Sequence, residues 1–271
     1  METTILEKSR EIKVKSQEQK EQNWLNEDVL VIILLNKNFD FVVSRTPYDI
    51  DICGKKMWEW VALSCGDCEI KTTVCTEESD ILTLIKPYLN NKKWTFVLYS
   101  DTPLFSNKTF VSVMEYVRAK QVNVLKLERG YVFDTEYIKN AESLISIPSK
   151  EFGTSKDFIV VNDTKSLYDV TQIIKNRILD YHVSNGIIFA DKNSVFIDAN
   201  VIIESGTKIK QNNSLLGLTY IGKNCIIEPN NVIKDSIISN NCEIKYSYIE
   251  NSRISENIIV GPFESVINKS N

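Results

Sequence analysis

The sequence predicts two successive architectures: an α/β nucleotide-fold domain with a Rossmann-like, mostly parallel sheet, then a left-handed parallel β-helix. Three observations carry that expectation. Val29–Leu35 (VLVIILL) is an unbroken apolar, β-branched run of the kind buried on both faces of a parallel sheet. Strand-like Ile70–Cys75 and Thr95–Tyr99 flank a helical stretch, Asp80–Leu89, which gives the strand–helix–strand alternation of a βαβ unit. Finally, Ile197, Ile203, Ile209, Leu215, Ile221, Ile227 and Ile233 recur at every sixth residue, with mostly polar, Gly or Asn positions between them.

Taken in order, residues 1–27 are rich in Lys, Glu and Gln with few apolar positions, and read as a polar helical extension without a core of its own. Residues 28–187 form the α/β domain. Beyond its first βαβ unit we expect a helix over Lys108–Lys120, strands at Leu127–Phe133 and Phe158–Val161, and a helix from Ser166 to Tyr181 that ends at the Asn185-Gly186 turn. Residues 188–271 form the β-helix. Neither a helix nor an ordinary strand produces a six-residue interval; a three-sided prism with one inward aliphatic per side does, with Gly or Asn at the corners. The register slips by one at Ile238, resumes at Ile244 and slips again through Ile249 and Ile254 before Val260-Gly261. Deletions at corners absorb such slips. The stack therefore makes about four coils, above the roughly three repeats that bury a core.

A chain of 271 residues is long enough for two domains. Its net charge of −4 and the lack of a basic stripe exclude a nucleic-acid partner held through phosphates. The N-terminus has no secretory apolar core, and no apolar run approaches a membrane span, so a soluble cytoplasmic protein is expected, with no membrane partner. The six cysteines then read as reduced thiols. Cys65 and Cys68, flanked by Cys53 and Cys75, could hold Zn²⁺ tetrahedrally; the alternatives are a redox pair and loop or core cysteines. Trp58 and Trp60 read as core, and His182, the sole histidine, as a packed structural residue and not a base.

Several short pieces add to this pattern in a fixed order: Gly54-Lys55-Lys56-Met57, Tyr99 to Leu104 (YSDTPL), Gly130-Tyr131-Val132-Phe133, Val161-Asn162-Asp163, His182 to Gly186 (HVSNG) and Val260-Gly261-Pro262-Phe263. With the β-helix that follows, they resemble the bacterial bifunctional N-acetylglucosamine-1-phosphate uridyltransferase/glucosamine-1-phosphate acetyltransferase family, along most of residues 29 to 267. The resemblance implies attack of a sugar phosphate on the α-phosphate of UTP, assisted by Mg²⁺. It places a metal ligand at Asp101 and a second at Asn162, although Asp101 also suits an ordinary Asp-Thr-Pro turn.

The family's phosphate-binding loop contains glycines and an arginine just after the first strand, and a lysine after a proline further on. Here the matching stretch, Ile33 to Tyr48, holds no glycine; Lys37 and Phe39 stand at glycine positions, Phe41 at the arginine and Tyr48 at the lysine. Lys37 and Arg45 are the cations left to meet a nucleotide or sugar phosphate. The interval from Asp101 to Asn162 is also shorter than in the family, where it carries sugar-binding residues. Glu128 and Arg129 fall near a sugar-contacting asparagine and receive no role. The family's acetyl-CoA site and catalytic histidine lie in further coils, so acetyl transfer is not expected of these residues.

Two functions follow from this. One is a Mg²⁺-dependent uridyltransferase of reduced size; the other is a non-catalytic binding or assembly module that keeps the fold. The altered loop favours the second. The partners expected are a nucleotide sugar or sugar phosphate and further copies of the chain. The resemblance implies a homo-oligomer through the β-helix, a trimer in the simplest case, with Tyr220, Tyr246 and Tyr248 as candidates for the covered face.

Overall fold

The structure is a computed structural model that describes residues 27–37, 47–76, 79–144, 150–151 and 156–269. Nearly all of the polar extension, and the loop positions Phe39, Phe41 and Arg45, lie outside the described residues. The described chain forms two compact units, one ending at Val170 and the other running from Thr171.

The first unit is built on β1 (Val29–Asn36), β2 (Glu69–Cys75), β3 (Trp94–Tyr99), β4 (Val124–Leu127), β5 (Gly130–Asp134) and β6 (Lys150–Glu151), in the sheet order β2-β1-β3-β5-β4-β6. The continuous apolar run of β1 has a simple cause. Val29, Val31 and Ile33 enter one core cluster and Leu30, Ile32 and Leu34 another, because successive side chains of a strand point to opposite faces. Strand β1 pairs in parallel with both β2 and β3, with Val31 opposite Ile70 on one side and Phe96 on the other. The helix α3 (Asn107–Lys120) supplies Phe110, Val113, Met114 and Val117 to the first cluster, the spacing of one helical face. Ser106 caps its start by accepting from the Thr109 amide, and Gln121, with φ 47°, ends it.

Three expectations change. Leu127–Phe133 is not one strand; the turn at Glu128-Arg129 splits it between β4 and β5, which run antiparallel, and β5 also runs antiparallel to β3. The sheet is mostly parallel, as expected, with β5 as its antiparallel strand. Gly130 makes that turn possible: it has φ 143°, and a Cβ there would lie 2.5 Å from the Val97 carbonyl oxygen. Phe158–Val161 is not a strand either, since Phe158 closes a short 3₁₀ turn, Lys156–Phe158, and fills the core. The helix expected over Asp80–Leu89 shortens to α2 (Ile81–Ile85) followed by a 3₁₀ turn, Lys86–Tyr88, at Pro87, which has no amide hydrogen to continue the ladder. Two helices are additional, α1 (Met57–Ser64) and α4 (Thr135–Lys139). In α1, Trp60 donates its indole N–H to the Ile52 carbonyl at 2.8 Å and Trp58 packs on the core, so both tryptophans are structural.

The second unit contains most of α5 (Thr164–Ser184) and a three-sided parallel β-helix. One face pairs Phe196–Ile197, Ser214–Leu216, Val232–Lys234, Tyr248–Glu250 and Ser265–Ile267; a second pairs Ile202–Ile203, Tyr220–Ile221, Ile237–Ile238 and Arg253–Ile254. The third runs from Ile188–Phe189 through Lys208–Ile209, Ile226–Ile227 and Glu243–Ile244 to Ile259–Val260. All seven aliphatics of the six-residue repeat are buried inside, none more than 7% exposed. The later slips are also accommodated: Ile209 pairs with Ile227, Ile227 with Ile244 and Ile244 with Val260, each coil one residue shorter than the last. Asparagines at the corners, such as Asn224 (φ 56°) and Asn241 (φ 59°), adopt the left-handed conformation that the bends require.

Two residues before most inward aliphatics sits a small buried polar group that pairs with the coil above. Asn231 donates to Asn213 Oδ1 through both its amide (2.9 Å) and its side chain (3.1 Å), and its own Oδ1 accepts from the Ser247 amide at 2.7 Å. Cys225 and Cys242 hold equivalent positions, each thiol aimed at a carbonyl of the next coil, Ser239 and Ser255 respectively. These ladders satisfy the corner amides that the narrow prism hides from water. Leu179 of α5 packs into the same core as the inward aliphatics.

Candidate functional site

In the α/β unit the carboxyl ends of the three parallel strands converge on one cavity of about 430 Å³. Asn36 ends β1, Cys75 ends β2, and Tyr99 ends β3 with Asp101 just beyond it; all four line the cavity. This is the edge at which α/β sheets bind ligands, and the volume lies in the range of small-molecule sites. Thr76 and Ser79, after β2, contribute hydroxyls, and Asn162 enters from the segment before α5.

The strand ends are pinned before any ligand arrives. The Ser100 amide donates to the Leu34 carbonyl at 2.9 Å, Ser100 Oγ accepts from the Asn36 amide at 3.1 Å, and the Asp101 carbonyl accepts from Val161 at 2.8 Å. The last bond brings the Asn162 segment to Asp101. Both sequence-derived metal candidates thus line one cavity, with Asp101 fully buried and Asn162 exposed. Asn162 is held by Ser166, whose hydroxyl accepts from its amide at 3.1 Å.

Asp101 is already engaged. Arg129, on the β4–β5 turn, donates to Oδ1 through Nε at 3.2 Å and to Oδ2 through Nη2 at 2.5 Å, while Asn36 Nδ2 donates to Oδ2 at 3.0 Å. The guanidinium lies over the Tyr99 ring, 4.1 Å from its centroid. Burial works against the charge of Arg129, but the hydrogen bonds and charge of Asp101 outweigh it and hold its pKa above the ordinary value. Tyr99 is pushed up to about 12, first by burial. Burial likewise raises the Cys75 thiol, with Arg129 opposing the shift.

These residues do not fit a divalent cation as they stand. Both oxygens of Asp101 face a guanidinium, and Asn162 adds no charge. Among the described residues, no group of three or more His, Cys, Asp or Glu could hold a metal ion. Lys37 stands exposed at the end of β1, its amide donating to the Cys75 carbonyl at 3.1 Å, and is not one of the residues found around the cavity. Arg45 lies outside the described residues. The pocket residue that sequence reasoning left without a role is Arg129.

The four N-terminal cysteines are not gathered into one site. Cys65 and Cys68 belong to the core cluster on one side of the sheet and Cys75 to the cluster on the other. All six cysteines are buried thiols outside any disulfide, and burial raises Cys65 to about 12 and Cys68 to about 11. His182, 3% exposed in α5, has no hydrogen-bond partner at Nδ1 among the described residues, and burial lowers its pKa to about 4. No described helix is long and apolar enough to cross a membrane. The three tyrosines chosen for a covered face do not share one: Tyr220 and Tyr248 lie on different sheets, each hydroxyl on a glutamate, and Tyr246 occupies a corner beside Phe263.

No family model matches the chain. Curated relatives do. A bifunctional protein GlmU from Caldanaerobacter subterraneus subsp. tengcongensis is 37% identical over 114 residues, 42% of this chain and 25% of that protein. Over this shared part the chain is similar to the bifunctional GlmU proteins. A GlmU from a Geobacillus species is 31% identical over 168 residues, 62% of this chain and 35% of that protein, and one from Clostridium kluyveri is 38% identical over 143 residues, 49% of this chain and 31% of that protein. The chain thus spans about a third or less of the length of these GlmU relatives. Among solved structures, the CMP:2-keto-3-deoxy-manno-octonic acid synthetase complexed with CTP aligns with a TM-score of 0.45 at 11% identity, over 55% of this chain and 99% of that one.

Proposed function

We propose that the protein is a sugar-nucleotidyltransferase-like member of UDP-N-acetylglucosamine metabolism whose α/β unit binds ligand without carrying out nucleotidyl transfer. The observation that carries this reading is the closed ion pair of Asp101 and Arg129 at the strand ends. Transfer to a triphosphate needs positive charge that faces the phosphates and strengthens as charge develops in the transition state. Asp101 offsets Arg129, and among the described residues no other formally charged side chain lines the pocket. A cavity of this size with hydroxyl, amide and guanidinium donors suits a nucleotide sugar or sugar phosphate better than a free triphosphate.

The likeness to GlmU supports the pathway. The pocket chemistry supports binding over turnover. On the same reading the protein works in the cytoplasm, and its β-helix serves assembly of a homo-oligomer, a trimer in the simplest case. Light scattering coupled to size exclusion tests the assembly, and a single-chain mass at micromolar concentration contradicts it. For the pocket, calorimetric titration with UDP-N-acetylglucosamine and with UTP is the test. Binding of the nucleotide sugar, tighter than that of UTP, is expected; no heat from either ligand with or without Mg²⁺ contradicts the reading.

A further inference from the structure

The resemblance implies a magnesium ion on Asp101, and the pocket disagrees with it. Magnesium demands near-octahedral oxygen ligands at about 2.0–2.1 Å. Here Oδ1 and Oδ2 of Asp101 already accept from Nε and Nη2 of Arg129, and Oδ2 also accepts from Asn36. An ion seated there would bring two positive charges against a guanidinium held by stacking on Tyr99 and by a carboxylate 1% exposed.

Arg129 is not used up by this pair. Its fork carries five N–H groups, and Nη1 donates to no partner among the described residues, while the side chain remains 31% exposed. The hydroxyls of Thr76 and Ser79, hydrogen-bonded to each other at 3.0 Å, line the same cavity. A fixed guanidinium with Nη1 left to donate, backed by a buried carboxylate and sharing its cavity with two hydroxyls, is a receptor for phosphate oxygens that needs no metal. Because Asp101 offsets the charge, the receptor matches a single phosphate and not a triphosphate.

We infer that Arg129 takes the place of the divalent cation, and that the pocket binds a phosphate monoester of a sugar or nucleoside in a metal-independent manner, with Nη1 donating to the phosphate. This rests on the binding reading given above. The two sources of the phosphate are separated by titrating the whole chain with N-acetylglucosamine 1-phosphate and with uridine monophosphate in a calorimeter, each in EDTA and in Mg²⁺.

For the tighter ligand, the dissociation constants in EDTA and Mg²⁺ should agree within about twofold. Arg129→Gln should weaken binding at least tenfold. Asp101→Asn, nearly the same shape, leaves the guanidinium unbalanced and should tighten binding severalfold, the opposite of what loss of a metal ligand does; circular dichroism checks that both variants fold. Binding that requires Mg²⁺, that survives Arg129→Gln unchanged, or that is abolished in folded Asp101→Asn overturns the inference and leaves the binding reading standing. If neither phosphate ester binds in either buffer, the inference falls, and the UDP-N-acetylglucosamine titration decides separately whether the binding reading falls with it.

Discussion

Arg129 holds both carboxylate oxygens of Asp101 across 28 residues of sequence, at 3.2 and 2.5 Å, while it covers the ring of Tyr99. Charge and stacking together fix the pair at the carboxyl edge of the sheet. Removing either partner leaves the other without its compensation, and for the buried carboxylate that is expensive. Arg129→Ala should destabilise the α/β unit by about 3 kcal/mol, and the double variant Asp101→Ala/Arg129→Ala by clearly less than the sum of the two singles. Urea unfolding measures both. A coupling energy below about 0.5 kcal/mol contradicts the pair.

Ile221 is fully buried in the prism between Ile203 and Ile238 of the neighbouring coils. Ile221→Val should cost about 1 kcal/mol through the lost methyl group and the space it leaves. Ile221→Asp places an unpaired charge where no water or partner offsets its desolvation, and should unfold the β-helix. Far-ultraviolet circular dichroism with thermal melting reads this directly; an aspartate variant of near-normal stability contradicts the burial.

The buried His182 sets a pH dependence whose sign follows from its depressed pKa. Burial holds the folded-state value at about 4, against an ordinary 6.5, so the unfolded chain binds the proton first as pH falls. Stability from this group is whole above about pH 6.5 and declines as pH falls toward 4, by an amount of order 3 kcal/mol at pH 4. His182→Leu should remove this part of the acid dependence. Denaturant midpoints between pH 7 and 4, for both proteins, provide the check; identical slopes contradict it.

The β-helix was legible because its six-residue period is a local property: each Ile or Leu of the repeat reports its own side of the prism, and a corner deletion shifts the spacing visibly at Ile238. Strand β1 was legible for a similar reason, since burial on both faces leaves an unbroken apolar run. The pocket was only half legible. Asp101 and Asn162 came from motif position, but Arg129 reaches Asp101 only because Gly130 lets β5 turn back against β3, a non-local event hidden inside what reads as one strand. The Arg-Gly step at 129–130 was the available signal. Helix α1 was missed because its eight residues are too few for a clear period; Glu59, accepting from the Lys56 amide at 2.7 Å, marks its start.

On the proposed reading, the Asp101–Arg129 pair leaves a pocket that binds ligand and does not transfer nucleotides. The most direct test is pyrophosphate release by the whole chain from UTP and N-acetylglucosamine 1-phosphate in Mg²⁺, with product followed by chromatography. Turnover well below one per second is expected, since the described residues of the pocket offer no net positive charge to the triphosphate. Steady formation of UDP-N-acetylglucosamine in the ordinary enzyme range of about 1–10³ per second would contradict the account.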